Sequence, residues 1–155
     1  VSLLAPAFSS TPEMCASLLS HNQIQSALDV TGQADLALVG VAEAHESSTD
    51  VLVGCFTMDD MRRLLDEGAV GHMLGAFYDI NGRMLARGMR DRVVALNEHD
   101  MRRIPKVVVI ASEAKKGLAL LGALRTGLVN SLITTMQNAR DVLQMNEEHP
   151  LSESA

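Results

Sequence analysis

Hydrophobic and polar positions change period repeatedly along this chain, and the changes divide it into short helices and short strands. Ser2 to Ala5 has strand character and is stopped by Pro6. Ser10-Thr11-Pro12-Glu13 reads as a helix start, with a hydroxyl N-cap, proline at the first helical position and an acid in the first turn. Met14, Leu18 and Leu19 fall on one face of that helix, and a second helix is predicted from Asn22 to a stop at Gly32. Asp35 to Ala42 is a continuous apolar run of strand length, of the kind found at the centre of a parallel sheet. Glu43 to Asp50 is polar and reads as a loop, Val51 to Phe56 as a short strand, and Thr57-Met58-Asp59-Asp60 as the cap of a helix carrying Met61, Leu64 and Leu65.

That helix leads into Gly68-Ala69-Val70-Gly71-His72-Met73-Leu74-Gly75-Ala76-Phe77-Tyr78-Asp79, where closely spaced glycines interrupt strand-like apolar residues. Asn81-Gly82 then signals a tight turn. Arg83 to Arg103 is basic, with Arg83, Arg87, Arg90, Arg92, Arg102 and Arg103, but it is interleaved with Asp91, Glu98 and Asp100 and reads as a solvated or subunit-facing surface. Lys106 to Ala111 is the clearest strand. After Ser112-Glu113-Ala114 comes a helix from Lys115 to Arg125, with an apolar stripe of Leu118, Leu121, Leu124 and Leu128 and with Gly117, Gly122 and Ala123 keeping it slim against a sheet. Ser131 to Thr134 is a last strand and Gln137 to Met145 a last helix. Residues 146–155 form an acidic tail expected to be mobile.

Strands alternating with helices predict an α/β fold with a largely parallel sheet and helices on both faces. Composition agrees: 47% of residues are hydrophobic and only 3% aromatic, so the core is aliphatic and Met-rich. Nineteen acidic against thirteen basic residues give a net charge of −6, which disfavours nucleic acid as a direct partner. Cys15 and Cys55 lack metal-ligand or CxxC spacing and read as reduced, buried thiols in a cytoplasmic protein. No stretch has the length of a membrane span. The sequence opens on Val1 inside an apolar run, which suggests a piece of a longer protein.

Chemistry is best placed at the carboxyl ends of the strands, where helix N-termini present free N–H groups. Lys115 and Lys116 stand at the start of a helix, against its dipole. Either a bound phosphate or carboxylate compensates them, or they reach water or pair with Glu113. Thr134 and Thr135 could add hydroxyls to the same pocket or cap the last helix. His72, between Gly71 and Met73, is either a structural histidine or a ligand group. Asp59, Asp60, Asp66 and Glu67 read as first-turn and solvated helix charges rather than a metal site. There is no Ser-His-Asp set, metal cluster or GxGxxG, so no cofactor and no metal are expected.

Two blocks add a family. Gly68-Ala69-Val70-Gly71-His72-Met73-Leu74-Gly75 with Phe77-Tyr78-Asp79-Ile80-Asn81-Gly82 resembles the GAVGD-hydrophobic-x-G…FFD-x-x-G block of the SorC family of bacterial sugar-catabolism regulators. Ile104-Pro105 through Ala111, Lys116, Ala123-Leu124, Gly127, Asn130, Leu132-Ile133-Thr134 and Ala139 to Leu143 is similar to that family's IP…VAGG-x-x-K…LITDE-x-TA ending. Asp35 to Val41 resembles its ADLALVG strand.

The resemblance implies the later part of an effector domain, residues 1–145, related in fold to ribose-phosphate isomerases and glucosamine-phosphate deaminases (NagB/RpiA-like) and without catalysis. It implies a sugar or sugar-phosphate effector, a homo-oligomer (dimer or tetramer), and DNA contact only through an amino-terminal helix-turn-helix that this stretch does not contain. In that family the acid after GAVG and the lysine after AGG help hold the phosphosugar. Carried over, the effector-binding residues are Gly71, His72, Ser112, Glu113, Lys116, Thr134 and Thr135. The acid is His72 here, the two glycines are Ser112-Glu113, and TDE is Thr134-Thr135-Met136, so the pocket has changed ligand or decayed. An oligomerisation module with a vestigial pocket and, more remotely, an isomerase- or deaminase-like enzyme are the competing readings.

Overall fold

The computed structural model describes residues 1–85 and 87–151. In chain order the elements are α1 (Pro12–Leu19), α2 (Asn22–Thr31), β1 (Leu36–Gly40), β2 (Ala42–Glu43), α3 (Thr49–Leu52), α4 (Met58–Asp66), β3 (Ala69–Met73), β4 (Ala76–Asp79), α5 (Arg87–Arg90), α6 (Glu98–Arg103), β5 (Lys106–Ala111), α7 (Gly117–Arg125), β6 (Ser131–Thr134) and α8 (Met136–Glu148). β1, β5 and β6 form a parallel sheet with β5 in the middle, in registers Leu36↔Lys106 to Gly40↔Ile110 and Val108↔Ser131 to Ala111↔Thr134. Helices flank this sheet. Its Val39, Val107, Val109 and Ala111 pack with Ala119, Leu120 and Leu121 of α7 and Val142 of α8 in the largest apolar cluster.

A second, antiparallel sheet of order β2-β3-β4 stands beside the first. The apolar run from Asp35 to Ala42 is therefore not one central strand: it supplies edge strand β1, breaks at Val41, and crosses into the second sheet, where Ala42 pairs with His72 and Glu43 with Gly71. The glycine-rich block becomes the hairpin β3–β4, and its turn falls at Leu74-Gly75, both with positive φ (49° and 71°). Leucine is a poor residue for that conformation, which is why the turn was not legible. The expected turn at Asn81-Gly82 is also present, with Gly82 at φ 80° donating its N–H to Asp79 O.

Other expectations need correcting. Ser2 to Ala5 forms no strand; Leu3 and Ala5 pack instead against Cys15, Ile24 and Val94. Val51 to Phe56 is not a strand either: Ser48 caps the single turn of α3 by accepting from Val51 N–H, and a local side chain–backbone bond of this kind wins over β-propensity in a short run. Of the expected stripe, Leu121 and Leu128 are buried and Leu124 packs against the same core, whereas Leu118 is exposed and Ala119, Leu120, Gly122 and Ala123 of α7 are buried in addition. A Cβ at Gly122 would come within 2.8 Å of Asp79 O, so close approach at this glycine seats the helix together with its leucines. Asp60 is buried, not solvated: it completes a capping box with Thr57 and bonds Arg63 and Arg92.

Arg92 in turn reaches Ser9 O and Cys55 O, so this arginine is an internal clamp rather than part of a solvated surface. Cys15 is buried and Cys55 half-buried, and both are free. The last helix continues past Met145 to Glu148, and His149 O accepts from Arg125, so ordered chain extends into the expected tail. Residues 152–155 of that tail and Ala86 of the basic segment lie outside the described residues.

Candidate functional site

The corner expected from sequence is assembled at the carboxyl ends of β5 and β6. Lys115 and Lys116 are not in the first turn of α7; they precede it. Lys115 has φ 67°, which reverses the chain, and Lys116 occupies the N-cap position. The Lys116 side chain, only 12% exposed, folds back so that Nζ donates to Val41 O at 3.1 Å and lies 2.8 Å from Glu113 Oε2. The dipole conflict is thus relieved by the chain's own carbonyl and carboxylate. The hydrogen bond from Lys116, with its charge, holds the Glu113 carboxyl below the usual range even though Glu113 is largely exposed. Ser112 is exposed beside it.

Gly71 lies on the same side of the molecule. A Cβ there would meet Ala119 Cβ at 2.7 Å, Ala42 O at 2.8 Å and Tyr78 Oη at 3.0 Å. Glycine at 71 is explained by β3 packing directly on the first turn of α7, three residues beyond Lys116. Tyr78 seals the contact by donating to Ala119 O, and burial raises the pKa of its phenol.

His72 is buried between aromatic rings, with Phe77 4.6 Å and Phe56 6.3 Å away by centroid. Its Nε2 meets Asp50 Oδ2 at 2.9 Å, while Nδ1 is buried with no described partner. The hydrogen bond to His72 is the main reason the Asp50 carboxyl stays below its ordinary range; burial opposes it, and the charges of His72 and Lys116 add to it. Asp50 was not legible as a site residue because 22 positions separate it from His72 and it sits in a polar, Ser-rich stretch. Only the docking of α3 over β3 brings the two together.

Thr134 and Thr135 are present at the corner with their hydroxyls engaged in structure. Thr134 Oγ1 donates to Ala111 O at 2.6 Å, and Thr135 is the N-cap of α8, accepting from Asn138 N–H. Asn138, a second residue missed from sequence, is fully buried; its Nδ2 donates to Glu113 O at 2.8 Å and to Thr134 Oγ1 at 3.1 Å. It ties the Glu113 loop to β6 and α8, and its position three residues after a threonine cap was the only clue.

The corner therefore joins Gly71, His72, Asp50, Ser112, Glu113 and Lys116, with the Lys116 ammonium facing the Glu113 carboxylate and the His72 ring bonded to Asp50. Such a set can donate and accept hydrogen bonds to a polyhydroxylated molecule, and its Lys116 ammonium is already paired with a carboxylate. Among the described residues no three His, Cys, Asp or Glu side chains gather to hold a metal. None of their helices is long and apolar enough to cross a membrane.

Comparison with known proteins agrees with this architecture. Residues 1–144 match the family model described as "Putative sugar-binding domain", and the chain belongs to that family. The chain is 28% identical over 140 residues to the erythritol catabolism regulatory protein EryD of Brucella abortus (89% of this chain, 43% of that protein). It is 25% identical over 143 residues to the transcriptional regulator LsrR of Escherichia coli K12 (90% of this chain, 45% of that protein). It thus spans less than half the length of these curated relatives.

Among solved structures, the sugar-binding domain of a Vibrio fischeri transcriptional repressor superposes with a TM-score of 0.85 at 34% identity, covering 94% of this chain and 58% of that one. The full-length sorbitol operon regulator SorC of Klebsiella pneumoniae shares the fold, with a TM-score of 0.78 at 23% identity over 89% of this chain and 45% of that one. The chain is thus a member of a family of sugar-binding domains, and the relatives it resembles by sequence are transcriptional regulators.

Proposed function

We propose that this domain is the effector sensor of a cytoplasmic transcription regulator of carbohydrate metabolism and that its effector is an uncharged sugar or polyol rather than a phosphosugar. The observation that carries the reading is the Lys116–Glu113 pair. The lysine that the family resemblance assigns to a phosphate is already bonded, at 2.8 Å, to a carboxylate of its own loop. A phosphate would have to displace that carboxylate and then lie beside it, and like charges at such distances repel. Ser112, Glu113 and Lys116 would hold hydroxyl groups, with His72 and Asp50 shaping the floor under Gly71. Thr134 and Thr135 belong to the site as its frame. The name of the Brucella relative, which concerns erythritol catabolism, fits a ligand of this class.

The sensor would bind without transforming. Proton transfer at a sugar carbon needs a positioned base, and the candidate, His72, has one ring nitrogen tied to Asp50 and the other enclosed. Operator contact would come from a separate helix-turn-helix domain, and the acidic charge of this one suits that division.

Calorimetry with erythritol, ribose, ribose 5-phosphate and glucosamine 6-phosphate tests the reading. The neutral compounds should bind and the phosphates hardly at all, and Glu113→Gly should raise phosphosugar affinity about tenfold by freeing the Lys116 ammonium. Tight phosphosugar binding to the unaltered protein would refute it.

A second reading, an oligomerisation module, is favoured by the exposed apolar row of Leu36, Leu38, Ile110 and Ile133 on one face of the parallel sheet. Oligomer formation together with no heat from any member of the panel would establish that alternative.

A further inference from the structure

At the opposite end of the parallel sheet, where α6 runs into β5 and Leu128 precedes β6, a cavity of about 570 Å³ opens beneath the Leu74-Gly75 turn. Its walls include Met73, Phe77, Leu96, Met101 and Leu128, and it is of the size that holds small organic ligands. Four of its lining residues carry charged or titratable side chains: Arg90, Glu98, His99 and Arg102. Arg102 is paired with Glu98 at 2.7 Å, which leaves Arg90 as the cation that sets the local charge.

Arg90 is partly buried, and its described hydrogen bonds go to main-chain carbonyls: Nη1 to Leu74 O at 3.1 Å and Nη2 to Leu96 O. Among the described residues it forms no salt bridge. A guanidinium has five N–H donors, so two such bonds leave donors for a further acceptor. Carbonyl dipoles orient the group without cancelling its charge. Burial pulls the pKa of Arg90 down, with Cys15 and then Glu98 partly opposing, yet a guanidinium stays protonated at neutral pH.

An apolar chamber whose wall holds one oriented cation without a salt bridge among the described residues matches one chemical class. We propose that this cavity is a second ligand site, distinct from the sugar corner, that takes a small monoanion with an apolar body, such as a short-chain aliphatic carboxylate, with the carboxylate on Arg90. A neutral apolar molecule would leave the guanidinium desolvated, and a polyol would waste the apolar walls. The site also bears on the first one. β3 carries Gly71 and His72 at the sugar corner and Met73 at the cavity, and Arg90 holds the carbonyl of the adjoining Leu74, so occupancy here would bias the strand on which the other site is built.

Three of the nine methionines, Met73, Met84 and Met101, line this cavity, whereas Met136 and Met145 lie on the last helix and Met145 packs near Gly117 at the sugar corner. Methyl-labelled methionine NMR therefore reads the site directly. Titration with hexanoate should move the Met73, Met84 and Met101 methyls saturably, with a Kd of about 1 mM or tighter, and should leave Met136 in place. Hexan-1-ol should bind more weakly. Arg90→Gln should weaken hexanoate about tenfold and leave hexan-1-ol unchanged, with Arg90→Lys in between.

If Arg90→Gln loses methyl dispersion, the comparison of hexanoate with hexan-1-ol on the unaltered protein decides alone. Absence of saturable shifts, equal binding of acid and alcohol, or shifts confined to Met136 and Met145 would each overturn the proposal. None of these readouts involves a sugar, so failure here is separable from failure of the sugar reading.

Discussion

The two ends of this sheet handle positive charge in opposite ways. At the carboxyl end, the Lys116 ammonium faces the Glu113 carboxylate and the His72 ring bonds Asp50. At the amino end Arg90 meets carbonyl oxygens, which orient its charge and leave it in place. On the readings proposed above, the first arrangement would take neutral, hydroxylated molecules and the second an anion. The family resemblance alone would assign the anion to the first, because it implies a phosphate-holding role for Lys116. What decides is the residue facing the lysine, and Glu113 is three positions away in the same loop.

The comparison can be broken most severely at Gly71, which both ends share through β3. Gly71→Val would drive a side chain into Ala119 and Ala42 O, already 2.7 and 2.8 Å from a bare Cβ. Overpacking of this kind costs about 1–3 kcal/mol, and the upper end is expected here because backbone cannot yield as a side-chain tip does. Denaturant unfolding gives the loss, and both sites should weaken together.

Asn138→Ala should cost about 1–3 kcal/mol, because it strips bonds from Glu113 O and Thr134 Oγ1 at a fully buried position. It should loosen the sugar corner and spare hexanoate binding at the amino end. Equal damage to both would mean the two regions are one cooperative unit.

Asp50→Asn is the finest probe, with an expected loss of about 1–2 kcal/mol at neutral pH. Asp50 has a folded pKa held below its ordinary 3.8, so its contribution is present above that value and disappears as pH falls through the lower folded one. The stability difference between the two proteins should therefore be flat from pH 7 to about 5 and close only in strong acid. A gap that shrank between pH 7 and 5 would show that the His72–Asp50 pair is held together in some other way.

Much of the fold was readable because local rules and tertiary structure agree. Thr11 with Pro12, Thr57 with Asp60, and the aliphatic run Lys106 to Ala111 each specify an element that packing then uses. Reading failed where one local rule overrode another. Val51 to Phe56 looked extended, but the Ser48 cap won; the Leu74-Gly75 turn carries a leucine that no turn rule anticipates. Of the corner's residues, Lys116, Glu113 and His72 were singled out from sequence, whereas Asp50 and Asn138 were not, since their bonds go to partners that no short-range spacing reveals.

By itself, then, the sequence determined the alternating elements, the aliphatic parallel sheet and the presence of a lysine at the mouth of that sheet, because these follow from side-chain period, capping and short loops. Only the tertiary structure decided which charges cancel. Lys116 and Glu113 are neighbours in one loop, but the rest of the corner depends on distant parts of the chain meeting, Asp50 with His72 at 2.9 Å and Lys116 with Val41 O at 3.1 Å, and such distances are a property of packing rather than of order along the chain.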